Sequence, residues 1–456
     1  MHELPRRRIC NGMWLAMGLA FAQGISVRGD EPFHVGGAWS ELQADDQMVI
    51  GGGIVGATAA GTEGRLQATA LVIGGQGADG APTRLCLVGV DVLMMNRDLL
   101  DRAARQIEQE TGISFTNVLI NASHTHHAPS TVTVHGYQRD EEFCRRTVDA
   151  IVATAREANA EADRQRPATA VFRLSQEASV GQNSRVLRMD GQIYWIGPQN
   201  EFVRPTGPFD SDLLVLAFRR ADGSRAGAWF NHSTHCIGTR TNKKSPGFYG
   251  LAAQQLADEL GAPLVFLSGA AGSTHNLSMN GEEMVYRICA AVRDGLQRAQ
   301  PMSSTTLAAT RRELSYRIRQ IDEAAQSAAI DRYCAKHAPA HHAEIARVFR
   351  ESRDKLRPQQ GQERKMWLQA IRIGDVYLAA CPAEFFTTLG IEVKRRSPHR
   401  HTFVLGLTND YCGYTPNREA FALGGYQTWA GLHNFAEEGT GERIVDELVE
   451  MLEELP

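Results

Sequence analysis

The sequence predicts an α/β (α+β) protein: a single large domain of mixed sheets with helices packed outside, spanning residues 31–456. Three observations predict it. Short apolar runs of strand length alternate along the whole chain with longer segments whose apolar residues recur at helical spacing. No internal repeat, low-complexity linker or composition break divides them. And 456 residues at 43% hydrophobic content are ample for one sizeable core.

The elements are taken in chain order. "RLQATALVIGG" and "TRLCLVGVDVLMM", from Arg65 and Thr83, flank the turn-forming "QGADGAP" and so read as a long hairpin. "RDLLDRAARQIEQETG" is an amphipathic helix that Gly112 stops. "SFTNVLINASHTHHAPS" is an apolar strand running straight into histidines, and "DEEFCRRTVDAIVATAREANAEA" is helical again. "LLVLAFRRADGSRAGAWFNHSTHCIG" makes two strands about Asp222-Gly223, the second also ending in histidines. After the helix "YGLAAQQLADELG", the buried strand in "APLVFLSGAAGSTHN" empties into a glycine-rich loop that carries His275. Residues 321–356 are charged and helical, with His337, His341 and His342 expected on a solvated face. "KMWLQAIRIGDVYLAACPAEFF" is two strands about Gly374-Asp375 that end at Glu384. Strand "FVLGL", loop "TNDYCGYTPN" and an amphipathic helix from Glu442 close the chain.

Composition excludes several classes. A formal net charge of −4, with Lys and Arg scattered, gives no footprint for nucleic acid or an anionic membrane surface. No segment after the N-terminus is apolar enough to span a bilayer. The first residues are an address: "PRRR" is a positive n-region, "ICNGMWLAMGLAFA" a short apolar run, and Ala20-Phe21-Ala22 a small-x-small cleavage site. Residues 1–22 are therefore expected to be a signal peptide, and the protein secreted or periplasmic. Of the eight cysteines, Cys10 leaves with that segment, and the remaining odd number reads as small buried thiols rather than a disulfide framework.

"VIGGGIVGATAAG", Val49 to Gly61, imitates a dinucleotide-binding loop, with Gly51, Gly53 and Gly56 in the G-x-G-x-x-G register. The residues beyond it do not fit such a fold. The crossover helix would contain Thr58, Gly61, Thr62 and Gly64, each glycine costing about 1 kcal/mol against Ala. The next strand ends in Gly74 and Gly75 with no acidic residue to hold a ribose. A turn-rich lead into a sheet is the expectation, and a FAD/NAD-dependent oxidoreductase the alternative.

The histidines carry more. His124 and His126 in "SHTHH" are two apart, and on an extended backbone both imidazoles face one side. That suits zinc, which takes imidazole nitrogen and, at catalytic sites, about three protein ligands with an open position. His232 and His235, His275 and Glu384 each come after a further apolar strand, so four strand ends deliver potential ligands.

In this order the segments resemble the catalytic domain of the neutral (non-lysosomal) ceramidases. "NVLINASHTHHAPS" is similar to that family's HTHSGP-type motif, "GAWFNHSTH" to its G-A-x-x-N-F-x-x-H strand, "CPAEFFTTLG" to its PGEFTTM motif and "NDYCGYTPNREAF" to its N-x-Y-x-G-Y-x-T-x-x-E-Y segment. The similarity runs from roughly Met48 to Trp429. It implies a neutral-ceramidase-like domain binding one Zn2+ per chain through His124, His235, Glu384 and Tyr414, with His232 the alternate for His235. It places His126 beside the metal as a substrate or oxyanion contact.

Two departures stand out. The family's G-D-V-S-P-N loop carries a serine, whereas "GSTHNL" sets His275 at that position, and no immunoglobulin-like domain comes after. His275 is expected to protonate a leaving amine, with Ser273 or Thr274 a lesser possibility as nucleophile. Asn183 and Arg185 in "GQNSR" are expected to position substrate, and Tyr426 and Trp429 to wall a pocket or pack in the core. The function so implied is zinc-dependent hydrolysis of an amide (N-acyl) bond, of ceramide or a related small-molecule or lipid-like compound. A non-catalytic exported metal-binding module is the other alternative.

Overall fold

Alternation of side chains along the strands decides the architecture. In strand Gln67–Gln76, Leu71 and Ile73 enter one apolar cluster while Ala70 and Val72 enter another on the opposite face. Strand Asp212–Arg220 does the same, with Leu214, Leu216 and Phe218 on one side and Leu213, Val215 and Ala217 on the other. Strands apolar on both faces need cover on both. Here the inner faces of three sheets meet in one shared core, and helices cover each outer face.

The computed structural model describes residues 33–276 and 279–456. The expected signal segment lies outside the described residues. From Glu31 to Pro456 the chain is one compact unit. The first sheet orders His34–Glu41, Gln67–Gln76, Pro82–Val90 and Val118–Ala122, the last pair parallel. The second orders Leu264–Ser268, Arg225–His232, Asp212–Arg220, Ala168–Gln176 and Gln300–Pro301, its first pair parallel. The third orders Leu307–Arg317, Glu363–Ile373, Val376–Ala380 and Thr402–Leu405, again ending in a parallel pair. The predicted hairpins about residues 77–81, 222–223 and 374–375 are all antiparallel pairs.

Helices Arg97–Thr111 and Glu141–Arg164 pack on the first sheet, Gly247–Leu260 and Gly281–Arg298 on the second, Thr387–Arg396 and Thr440–Glu454 on the third. Gly112 ends the first of them in the left-handed region at φ 74°, as its position in the sequence requires. The seven cysteines after residue 22 are buried free thiols. No helix among the described residues is long and apolar enough to cross a membrane.

Asn121, fully buried near the end of an apolar strand, ties the three sheets together. Its Nδ2 donates to Gly406 O at 2.7 Å and Thr408 Oγ1 at 3.0 Å, while its Oδ1 accepts from Ser268 N at 2.7 Å. The parallel strand ends are therefore held at one place.

Two expectations change. The glycine run Gly51–Gly56 opens no helix: residues 48–96 contain none, and the first helix begins at Arg97. A dinucleotide site of the strand–glycine–helix type is therefore absent from this segment. His337 is not on a solvated face. It is 5% exposed and pairs with Asp190 at 2.9 Å, because the helix Glu323–His337 packs that face against the 190s loop.

A histidine and carboxylate cluster where three sheets meet

Loops at the carboxyl ends of parallel strands are aimed by the sheet beneath them, and such ends collect ligand-binding groups. Each sheet contributes here. The first delivers His124 and His126 just beyond Val118–Ala122; the second delivers His235 beyond Arg225–His232 and His275 beyond Leu264–Ser268. The third delivers Glu384 and Tyr414, which lie side by side as partners in a short parallel ladder.

The groups converge. Nε2 of His124 and Nε2 of His235 each lie 3.4 Å from Glu384 Oε2. His126 Nε2 is 3.4 Å from His124 Nε2, and the Tyr414 hydroxyl is 3.1 Å from His235 Nε2. All are buried except His126, which is partly exposed. His124 and His126 do not meet by the extended-strand route expected from their spacing. The strand stops at Ala122, and His124 sits at φ 62°, a left-handed conformation rare for a residue with a Cβ.

The outer nitrogens fix the tautomers. His124 Nδ1 bonds Leu93 O at 2.9 Å, His235 Nδ1 bonds Ala271 O at 2.8 Å, and His126 Nδ1 bonds Gly52 O at 3.3 Å. A carbonyl only accepts, so each Nδ1 carries the proton and each Nε2 is a bare lone pair. Three lone pairs and a carboxylate oxygen thus face one another with only the tyrosine hydroxyl to satisfy them. A cation resolves that repulsion, and backbone carbonyls behind ligating imidazoles are the usual arrangement around zinc. His124, His126 and His235 offer nitrogens within 4.8 Å of one another, a spacing that could hold a metal ion.

Electrostatics agree. Burial alone raises the Glu384 carboxyl, and it is held well below the carboxylate range only by positive charge at the His124 and His235 nitrogens beside it, a charge that a bound cation would supply in place of ring protons. Burial, then the neighbouring imidazoles, pushes His126 well below its ordinary value. Burial and then the Glu384 charge raise the Tyr414 phenol well above its own. Tyr411, which the sequence did not single out, donates to Glu384 Oε1 at 3.3 Å. It is the first tyrosine of "NDYCGY", so its signal was present.

The cluster lines a cavity of about 590 Å³. His275 faces the same cavity with a buried Nδ1 that has no partner among the described residues, and burial, then His235 alongside, brings its imidazole down to about 4. Tyr426 lines the wall, stacked on Trp195 at 4.6 Å, and its hydroxyl meets His135 at 3.1 Å; Trp429 lies behind in a separate apolar cluster. Gly52 and Gly53 form another part of the wall. Gly52, at φ 107°, approaches the His126 ring so closely that a Cβ there would meet it at 2.5 Å. The glycine run therefore serves close approach to an imidazole.

Other candidates lie elsewhere. His232 is occupied on both nitrogens, by Tyr249 at 2.5 Å and Glu177 O at 2.9 Å, which leaves His235 as the histidine of that strand in the cluster. Ser273 bonds Thr387, and Thr274 Oγ1 bonds Ser233 O and Ala271 O, so neither is a free nucleophile. Asn183 and Arg185 do not line the cavity. The Asn183 amide bonds Pro208 O and Arg185 N, and the Arg185 guanidinium bonds Gln427, Ala420 O and Gly424 O. Arg185 is 1% exposed and reaches the cavity only through Gln427.

The arrangement defines a mixed α/β protein with a histidine and carboxylate centre at the carboxyl ends of three parallel strand pairs. No family model matches the chain, and no curated protein matches it. Among solved structures it is similar to neutral ceramidase from Pseudomonas aeruginosa, at 20% identity and a TM-score of 0.70, covering 94% of this chain and 75% of that one. It is similar at 19% identity and the same TM-score to a ceramidase complexed with C2, covering 94% and 76%. The fold is neutral-ceramidase-like.

Proposed function

We propose that the protein is a zinc-dependent hydrolase that cleaves an amide (N-acyl) bond. The observation that carries this reading is the convergence of His124 Nε2, His235 Nε2, Glu384 Oε2 and the Tyr414 hydroxyl at the end of a cavity of substrate size. The solved structures it resembles are ceramidases. His124, His235, Glu384 and Tyr414 would hold one zinc ion per chain, with His126 adjacent. A bound zinc ion supplies a Lewis acid that polarises a carbonyl and lowers the pKa of water to about 7.

The chain's own groups do the rest. His126 presents a bare Nε2 to the cavity and, kept neutral by its surroundings, accepts the proton that an attacking water sheds. This suits its tautomer better than donating to an oxyanion does. The Tyr414 hydroxyl is the donor for that oxyanion. His275 passes the proton, relayed through cavity water, to the amine nitrogen as the C–N bond breaks. We also place the protein outside the cytoplasm, secreted or periplasmic, on the signal-like residues 1–22; N-terminal sequencing of the exported protein checks the cleavage after Ala22.

The test is hydrolysis of a panel of N-acyl amides that includes ceramide, before and after chelation and zinc replacement. At least one amide is cleaved, the activity disappears with the chelator and zinc restores it. Turnover that survives complete chelation, or no turnover by protein carrying stoichiometric zinc, contradicts the proposal.

A further inference from the structure

The cavity carries a charge asymmetry that the hydrolytic chemistry does not use. Most fully buried cations of the described residues meet a carboxylate: Arg353 meets Glu323, Lys244 meets Asp46 and Arg188 reaches Glu201. Arg185 meets none among the described residues; Glu419 lies across a small pocket and forms no ion pair with it. Its partners are three oxygens without formal charge and the face of Phe386. A buried guanidinium without a counter-charge is costly, and proteins retain such groups where a ligand supplies the missing anion.

Arg185 transmits its charge to the cavity through one side chain. Its Nη1 donates to Gln427 Oε1 at 3.0 Å, and because a guanidinium only donates, the amide oxygen is turned inward. Gln427 lines the cavity, and its Nε2, on the other side of the amide from Arg185, has no acceptor among the described residues. Ser184 lines the same cavity, and its Oγ makes no hydrogen bond to the described protein. No Asp, Glu, Lys or Arg is among the residues that line it.

Position gives the subsite a side. Strand Gln182–Asn183 pairs with Thr274–His275, with Gln182 opposite His275, and Ser184 N bonds Ser273 O, so Ser184 lies two positions along the same short ladder from the histidine assigned to the leaving amine, and both line the cavity.

We propose that Gln427 Nε2 and Ser184 Oγ, backed by Arg185, form a carboxylate subsite on the leaving-group side, and that the substrate is an N-acyl amino acid. The proposal rests on the amide-hydrolase reading of the same cavity. Gln427 and Ser184 set specificity, Arg185 positions Gln427, and the apolar walls around Trp195 and Ile54 take the acyl chain.

The test compares N-lauroylglycine with its neutral counterpart N-lauroylglycinamide on the zinc-loaded protein, by kcat/KM and by calorimetric Kd. The acid is favoured about tenfold or more in both. Gln427→Glu places a carboxylate on Arg185 from within; it costs the acid roughly 100-fold, about tenfold or more beyond what it costs the amide. Gln427→Met, with no charge added, removes the preference. Equal use of the two compounds by the wild type, or equal losses for both in the variants, overturns the subsite. If neither compound is cleaved, the hydrolase reading fails on this pair and calorimetry decides alone. Tenfold tighter binding of the acid that Gln427→Glu abolishes supports the subsite, and equal or undetectable binding refutes it.

Discussion

Bare Nε2 lone pairs define this site, and each is exposed because a backbone carbonyl holds the proton at Nδ1 of the same ring. His124→Ala and Glu384→Ala remove a proposed ligand outright; each is expected to lower kcat/KM about 10³-fold or more and to abolish zinc retention, read by kinetics and metal analysis on the same preparations. Tyr411→Phe loosens only the hydrogen bond on Glu384, so zinc affinity falls by roughly 10–100-fold while the fold is kept. Gly52→Ala tests the close approach to His126. Its positive φ and the ring in the path of a Cβ predict an activity loss of about tenfold or more with little change in zinc content, because His126 stands beside the proposed ligands.

Strand ends, more than individual side chains, make these residues neighbours. Asn121 bridges strand ends of all three sheets, so Asn121→Leu leaves Ser268 N without its partner and takes from Gly406 O one of its two donors, the other being Thr408 Oγ1, and is expected to cost roughly 2–5 kcal/mol in denaturant unfolding. A neutral effect would show that the sheets dock by apolar contact alone. The strands, hairpins and amphipathic helices were legible because alternation and helical spacing are local signals. The site was legible in outline for the same reason, since histidines and Glu384 come directly after apolar runs. What closed the gap between elements was not local. Three sheets facing one core leave no period in the sequence, and the left-handed turn at His124 accompanies ring contacts from other loops, Leu93 O on His124 and Gly52 O on His126. Arg185 was legible as polar but not as buried, because its partners lie some 240 residues along the chain. The glycine run misled because close packing against an imidazole and close packing against a pyrophosphate ask for the same residue.

Across the whole molecule, buried carboxyls and buried histidines make opposing contributions to the pH response. Burial pushes Asp91 and Asp410 each up to about 7, against an unfolded value of about 3.9. Between those values the folded chain keeps protons that the unfolded chain has lost, so these two groups subtract stability as pH rises from about 4 to 7, whereas His135, His275 and His433, brought down to about 3, 4 and 4 by burial, add stability as pH rises towards their unfolded value of about 6.5. Thermal unfolding across pH 5–8 is expected to show Asp91→Asn with Asp410→Asn gaining stability relative to wild type as pH rises, because an amide oxygen still accepts from Gln67, Arg97 and Tyr411 and carries no charge to desolvate. The proposed zinc ion, binding only the folded state, would add stability by mass action, so chelation is expected to lower Tm in wild type and not in His124→Ala. The most direct test of the zinc centre is anomalous X-ray scattering at the zinc edge from crystals of the purified protein. One peak per chain is expected, within bonding distance of His124 Nε2, His235 Nε2, Glu384 and the Tyr414 hydroxyl. A zinc peak elsewhere, or a cluster that stays empty in zinc-saturated protein, contradicts it.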